Sequence, residues 1–504
     1  MSGNVFFTGD FSRSTITFGT YTLTKAGPGS AVFIAKYDAN GNVLWAKSAG
    51  GTSGDGGYSV SADTSGNAFI AGYFSSPTIV FGTFTLTNAG SSSLFLTKYD
   101  INGNVLWAKS AGGSGIDFAT GVSASANGSV FITGVLSSPT LAFGTTTLTN
   151  SSGNDAIFIA KYDPSGNVLW AKSAGGISND DSYAVSTDIN NNVFITGGFS
   201  SPNITFGAYT LTNSGINSAL FLVKYDTNGN VLWAKGAGGI NGDAGNSVST
   251  DVTGNVFITG YFASPNITLG TYTLTNAGVS NVFIAKYDIN GNTLWAKSAS
   301  GSGSDEGYSV STYTGGVFVT GGFNSSTIAF GTNTLIPPTG ATDPTFIVLY
   351  DLNGNLICDK ALSSGADDQN GVSADKYGNA YITGDFFANP FILGSNTLTP
   401  TGAEDIFIAK FNCQPDITVI ETLNQNLVPK IFPNPNNGSF KVQIESEIQN
   451  GEIILINSIG QKAYEQKISK GETQIITNSL SKGLYNYVLL QNKQKISGGK
   501  LAIE

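Results

Sequence analysis

Six aspartates recur at one place in the chain. Asp55, Asp117, Asp180, Asp243, Asp305 and Asp367 each stand five residues before a Val, in stretches resembling Ser-Val-Ser. Carboxylates gathered at one mouth could hold a hard cation such as Ca²⁺ through oxygen ligands. One carboxylate per copy could equally accept hydrogen bonds from the N–H groups of its own loop, and its repetition favours that architectural role. No metal or other cofactor is therefore expected. The chain has no histidine, which excludes Ser-His and Cys-His nucleophiles and histidine acid–base catalysis. A carboxylate-only mechanism, as in glycoside hydrolysis, stays open. It would need acidic residues that break the pattern, and the irregular Asp385 and Glu404 have no evident partner in sequence. The expectation is a binding or structural module rather than an enzyme, with a carboxylate-dependent polysaccharide-degrading enzyme as the alternative.

Aromatic residues suggest a second chemistry, stacking on sugar rings. Tyr21, Phe84, Tyr209 and Tyr272 share one repeat position, which becomes Thr146, Asn333 and Asn396 elsewhere, so such a platform would be incomplete. All five tryptophans, Trp45, Trp107, Trp170, Trp233 and Trp295, occupy another position, between apolar neighbours. Packing between copies is the better reading there. Cys358 stands at that same position in a later copy, and Cys413 follows the third strand of the next. A bridge between them would close a loop of about 55 residues and return ~4 kcal/mol in the chain-entropy model; two buried thiols are the alternative.

These residues are positioned by a repeat. Gly-Asn-Val-Phe-Phe-Thr-Gly at 3–9 returns near 66, 128, 191, 254, 315 and 378, at intervals of 61 to 63 residues. Each copy holds four strand signals: an SVSAD-like stretch, the GNVFITG stretch, FIAKYD and VLWAKSAGG. All are short, rich in β-branched and aromatic residues, and bounded by Gly or Asn. Asp-x-Asn-Gly-Asn joins the last two, as at Asp38 to Asn42, and is read as a tight hairpin turn. It lacks the residue order and the terminal glutamate of an EF-hand calcium loop. SSPTITFGTYTLTNAG-like segments between the second and third strands add a further hairpin. Four-stranded units repeated seven times close most readily into a ring, which protects sheet edges. The predicted fold class is all-β, a seven-bladed β-propeller of four-stranded antiparallel blades over residues 1–421. Its long loops, with the aspartates and added hairpins, should share one face. The pattern resembles the SBBP-type (seven-bladed β-propeller) repeats of bacterial secreted proteins, a class that implies architecture and no single activity.

The first copy starts at its second strand, so the first blade lacks an inner strand, and Ile417 to Ile420 are expected to form the outer strand of the last. The expectation is a reading frame that extends upstream of Met1 and supplies the missing strand and a signal peptide.

Past a linker at 422–428, Lys and Glu become common and Trp disappears. Residues 429–504 read as alternating strands, enough for a small β-sandwich. Three motifs mark them: Pro433-Asn434-Pro435 with Gly438, an apolar run reaching Gly460, and Gly483-Leu484-Tyr485 followed by the terminal Lys500-Leu501-Ala502-Ile503-Glu504. In this order they resemble the C-terminal sorting domain of the type IX secretion system of Bacteroidetes. The resemblance implies export, recognition by the type IX machinery, and delivery of the propeller outside the cell, where a disulfide would persist. The partner there would be an extracellular polysaccharide or protein. A net charge of −10 argues against nucleic acid, and no apolar run is long enough to span a bilayer.

Overall fold

The computed structural model describes all residues except 1–2, 339–343, 363–370, 388–390, 394–395, 401–404, 414–417, 420–429, 445–449, 458–461, 478–479, 492–493 and 504. Asp367, Glu404, Ile417, Ile420, the 422–428 linker and Gly460 lie outside the described residues. The protein is all-β, with no helix among the described residues. It divides into two compact units, Met1–Glu421 and Thr422–Glu504.

Seven antiparallel sheets follow one another along the first unit. The second sheet shows the pattern: Asp55–Ala62, Ala68–Phe74, Ser93–Tyr99 and Val105–Ala111 pair in that order. The first sheet has three strands, Val5–Phe11, Ala31–Tyr37 and Val43–Ala49, which correspond to the second, third and fourth strands of the others. The seventh ends on Thr418–Val419, paired to Ala409 and Lys410.

Local chemistry explains the hairpins. In each Asp-x-Asn-Gly-Asn turn the Asp38-type carboxylate accepts from two backbone N–H groups, those of Asn40 and Asn42 at 2.9 Å, and from the Asn42 amide at 2.8 Å. Gly41 takes φ 86°, a conformation that favours glycine. Burial opposes charge on the equivalent Asp100, but bonds from Asn104, Asn102 and Gly103 outweigh it and hold the carboxyl below its ordinary value. These carboxylate oxygens face donors of their own turn.

Packing of sheet on sheet explains the apolar runs. The third strands of the first six sheets, such as Ala31–Tyr37 and Ala156–Tyr162, are buried along their whole length, as expected of strands covered on both faces. One fork of side chains joins each of the first five sheets to the next. Trp45 Nε1 and Lys36 Nζ, both from the first sheet, donate to the carbonyl of Ile101 in the second sheet's turn, at 3.0 and 2.9 Å. The same fork reaches Pro164 from Trp107 and Lys98, Thr227 from Trp170 and Lys161, Ile289 from Trp233 and Lys224, and Leu352 from Trp295 and Lys286. The indole also covers the turn: a Cβ on Gly103 would stand 2.8 Å from the Trp45 ring. Each of these lysines lies over a Phe of its own sheet's second strand, Lys36 over Phe6 at 5.2 Å for example, a cation–π contact that offsets part of its desolvation. The tryptophans are thus packing residues.

The sixth sheet breaks the rule. Leu349 stands where the first five sheets have Lys, and Cys358 where they have Trp. Cys358 is disulfide-bonded to Cys413, with Cα atoms 6.0 Å apart, and Cys413 occupies the turn position of Ile101. A covalent bond therefore replaces the fork between the same two positions.

The first strands contact one another from sheet to sheet. Their outward N–H groups, which an edge leaves unpaired, are met by hydroxyls of the preceding sheet. Val122 and Ala124 N–H donate to Ser59 and Ser61, Val310 and Thr312 to Ser247 and Ser249, and Val372 and Ala374 to Ser309 and Ser311.

The sequence reading expected the added hairpins to share a face with the aspartate loops; they start beside those loops, where a Cβ on Gly51 would lie 2.6 Å from the Thr78 carbonyl, and then run away from them. They fold back along the fourth strand of their own sheet. A Cβ on Gly82, in a hairpin turn, would lie 3.2 Å from Val105, the first residue of that strand. Hairpin residues Ile79, Phe81 and Leu86 share a core with Ile34 and Trp45 of the first sheet and Ile70 of the second. Their apolar side chains draw them into the gap between sheets. The sixth sheet's hairpin even pairs with the fifth sheet's fourth strand, Ala299 to Phe330.

At the two ends of this unit, Tyr381 and Ile408 of the seventh sheet share a core with Phe7 and Phe33 of the first. Arg13 and Asp405 form an ion pair there at 3.2 Å.

The second unit packs two sheets about one core. Lys430–Phe432, Ser439–Ile444 and Gly471–Ile476 form one, and Lys462–Ile468, Gly451–Ile456, Gly483–Gln491 and Gln494–Ile503 the other. Phe440, Val442, Ile453, Leu455, Leu489 and Leu501 lie between them.

Substitutions at one fork separate its two contributions. Trp233→Phe keeps a ring and loses the bond to Ile289, at a cost of about 1 kcal/mol. Trp233→Ala also opens a cavity and should cost about 3–5 kcal/mol. Urea unfolding of the purified protein measures both; equal losses would assign the whole effect to the bond.

Candidate functional site

The aspartates at the head of the first strands are fully buried at positions 55, 117, 180, 243 and 305. Asp55 accepts from the Gly51 N–H (2.8 Å), the Ser76 N–H (3.1 Å) and the Ser76 hydroxyl (2.8 Å). Asp117, Asp180 and Asp243 repeat this set with Gly113 and Ser138, Gly176 and Ser201, and Gly239 and Ser264; Asp305 accepts from Ser325. Burial pushes the Asp180, Asp243 and Asp305 carboxyls up, and these bonds pull the other way. Each carboxylate ties the loop between sheets to the loop after the second strand. No cluster of three or more His, Cys, Asp or Glu residues suited to a metal occurs among the described residues.

The hairpin aromatics are ties as well. The hydroxyls of Tyr21, Tyr209 and Tyr272 donate to the carbonyls of Leu44, Leu232 and Leu294 at 2.8, 2.7 and 2.6 Å. Phe84 packs against the core at its own hairpin. The structure does not bring these rings together with the aspartates.

A different set is brought together, at two positions where the copies disagree. One is the residue after the head aspartate; the other lies three residues before the loop serine, on the second strand. They face each other in register: Gly56 with Tyr73, Phe118 with Val135, Asp181 with Gly198, Ala244 with Tyr261 and Glu306 with Gly322. A β-bulge follows in every complete case, at Tyr58, Thr120, Tyr183, Asn246 and Tyr308, and bulges re-aim side chains beside binding sites. Tyr58 is 48% exposed, with its ring 5.2 Å from Tyr73 and 6.1 Å from Phe118 of the next sheet. Burial, then Tyr73 and Asp10, push the Tyr58 hydroxyl up to about 12. Burial, then Asp155 and Asp180, push Asp181 up to about 6, and Ser137 donates a hydrogen bond to Asp155. Burial, then Asp181 and Tyr261, raise Tyr183; burial, then Glu306, raise Tyr261. Tyrosine rings and carboxylates therefore occur together among these strand ends. Rings offer flat apolar faces, and carboxylates accept from hydroxyls. Sequence reasoning missed this set because it searched for what repeats; the available signal was the pair of positions that do not.

In the second unit the first and last sorting motifs meet. The Asn434 amide donates to the Lys500 carbonyl and its Oδ1 accepts from the Ala502 N–H, both at 2.9 Å. Asn436 donates twice to the Ala502 carbonyl and accepts from the Gly438 N–H. Gly483 pairs with Ile503, and the buried Tyr485 donates to the Ser481 carbonyl at 2.8 Å.

Asp181 gives this site a pH dependence. Its carboxyl holds a proton more tightly in the folded chain than at the ordinary 3.8, so its contribution to stability falls as pH rises from about 4 to 6. Asp181→Asn should flatten that part of the profile. Urea midpoints at pH 4, 5, 6 and 7 check this, and an unchanged slope would exclude Asp181 as its source.

Among curated proteins, a WD repeat-containing protein of Acanthamoeba polyphaga mimivirus is 27% identical over 453 residues, 74% of this chain. The chain spans about a third of the length of the curated relatives it matches. Among solved structures, a protein from Dyadobacter fermentans is 11% identical with TM-score 0.35, over 72% of this chain and 93% of that one. PorZ, a surface component of the type-IX secretion system of Porphyromonas gingivalis, is 10% identical with TM-score 0.17, over 98% and 86%. Residues 430–504 match the secretion system C-terminal sorting domain family, and the second unit of this chain is a type IX sorting tail that directs it to the cell surface.

Proposed function

We propose that the seven sheets are the blades of a closed β-propeller of the SBBP type, and that this propeller binds a neutral polysaccharide outside the cell. The core shared by the first and last sheets and the Arg13–Asp405 pair support closure. The observation that carries the ligand class is the group of Tyr58, Tyr73 and Phe118 rings with Asp10 beside the two tyrosines. Rings of this kind stack on the apolar faces of sugars, and the neighbouring carboxylates disfavour acidic polymers. Adhesion or contact with an extracellular matrix is the role this serves.

A second reading has its own observation. Asp181, raised to about 6, stands beside Asp155, and a pair of neighbouring carboxyl groups is what glycoside hydrolysis uses. Release of reducing ends from a bound polysaccharide, lost in Asp181→Asn, would favour that reading.

On a glycan array, Tyr58→Ala and Tyr73→Ala should each weaken retention of neutral glycans roughly tenfold, the loss of one ring contact. Unchanged retention would remove the site. Deleting residues 429–504 should leave a folded protein held in the periplasm, showing seven sectors in end-on electron-microscope averages. Normal surface delivery would overturn the sorting role, and another sector count the ring.

A further inference from the structure

The forks between the first six sheets need no chemistry beyond folding. An indole and an ammonium of one sheet meet a turn carbonyl of the next as soon as both sheets exist. Between the sixth sheet and the seventh both donors are replaced, by Leu349 and Cys358. The acceptor turn differs as well. Residues 412–416 read Asn-Cys-Gln-Pro-Asp, without the leading Asp and the Gly of Asp-x-Asn-Gly-Asn. Apolar contact and hydrogen bonds persist at this junction. Phe318 meets Phe411 at 6.3 Å, where Trp45 stands between the equivalent Phe6 and Tyr99. Val372 and Ala374 N–H donate to Ser309 and Ser311. The place of the fork itself is taken by the Cys358–Cys413 bond. Cys413 is exposed, and Cys358 is half-buried at the edge of the core that the two sheets share. A thiolate from outside can therefore reach the Cys413 sulfur.

We propose that this pair is a redox latch, and that the seventh sheet is held on the sixth only once the two thiols are oxidised. In that step the two thiols give up two protons and two electrons and join as one S–S bond. A disulfide oxidant accepts the electrons by thiol–disulfide exchange and leaves as two thiols. Reduction reverses each change. The sequence holds two cysteines, so neither has a competing partner within the chain. A fork would form wherever the chain folds. A disulfide forms in an oxidising compartment and is lost among cytosolic thiols. A chain that its sorting tail directs to the cell surface is made under the second condition and finishes under the first. The latch thus leaves the seventh sheet, the one next to the sorting tail in sequence, loose before export and fixed after it.

Hydrogen exchange of the full-length protein, read by mass spectrometry, tests this in three states: disulfide-bonded, reduced with dithiothreitol, and reoxidised with oxidised glutathione. Amides of residues 380–386 and 405–411 should exchange roughly tenfold faster after reduction and recover on reoxidation. Those of residues 193–199 and 219–225, in the fourth sheet, should stay unchanged and report that the rest is folded. Cys413→Ser should behave as the reduced protein without any reductant. Leu349→Lys combined with Cys358→Trp restores both donors of the fork, and should keep the seventh sheet protected with and without dithiothreitol. Seventh-sheet exchange that ignores reduction would overturn the proposal. So would equal acceleration in every sheet, which makes the bond a general stabiliser, or a folded fork variant whose seventh sheet exchanges as fast as that of the reduced protein.

Discussion

The arrangement of the first unit depends on one backbone carbonyl per junction. Ile101, Pro164, Thr227, Ile289 and Leu352 each present a carbonyl at a turn whose geometry is set by an Asp and a Gly. Two donors from the preceding sheet, an indole and an ammonium, converge on it. A charge-assisted bond in a site closed off by an indole is stronger than one in water, and a buried lysine without that acceptor would be costly. Burial pushes the Lys36, Lys161 and Lys224 ammonium groups down in pKa, while nearby turn carboxylates such as Asp100 and Asp226 push them back. The fork fixes the distance and the angle of one sheet on the next. Because the acceptor is a backbone atom, the side chain at that turn position is free to be Ile, Pro, Thr or Leu.

Edges are the second constraint, since every sheet has two. Serine and threonine hydroxyls lace the first strands, with Ser249 meeting Thr312 as well as its N–H. Hairpins lie along the fourth strands. Both devices use side chains from the neighbouring copy, so each sheet is complete only beside another. The junctions where the repeat fails use different chemistry. A disulfide replaces the fork between the sixth and seventh sheets, and an ion pair stands at the seam between the seventh and first.

Much of this was legible in the sequence, because strands and turns are encoded over a few residues. The Asp-x-Asn-Gly-Asn turn fixes its own hydrogen bonds, and short β-branched and aromatic runs such as VFITG and FIAKYD mark each strand. The fork was not legible. Trp45 and Ile101 are 56 residues apart, and an acceptor made of backbone leaves no signature in the side chains. Alternation in the hairpins showed that they are strands but not which edge they cover, so Tyr21 and Tyr209 were read as an exposed platform. The contact that decides their role is again to a backbone carbonyl. The buried aspartates were ambiguous for a related reason, since loop N–H donors and a cation make the same demand on a carboxylate.

Repetition itself separates architecture from function in such a chain. A residue present in every copy answers a need that every copy has: closing a turn, tying a loop, holding a neighbour. A ligand without sevenfold symmetry meets unequal surfaces, so recognition must come from positions where the copies differ and whose side chains are not spent on packing. The register pairs beginning at Gly56–Tyr73 differ between copies, and their larger members Tyr73, Phe118, Asp181, Tyr261 and Glu306 stay half-buried beside a bulge. Their contents run from Asp and Tyr through Val and Gly to Glu, while the flanking head aspartate and loop serine stay fixed in the second through sixth sheets. The fold therefore holds these side chains in a constant frame while their chemistry varies from sheet to sheet, and that combination is what an asymmetric binding surface on a symmetric scaffold requires.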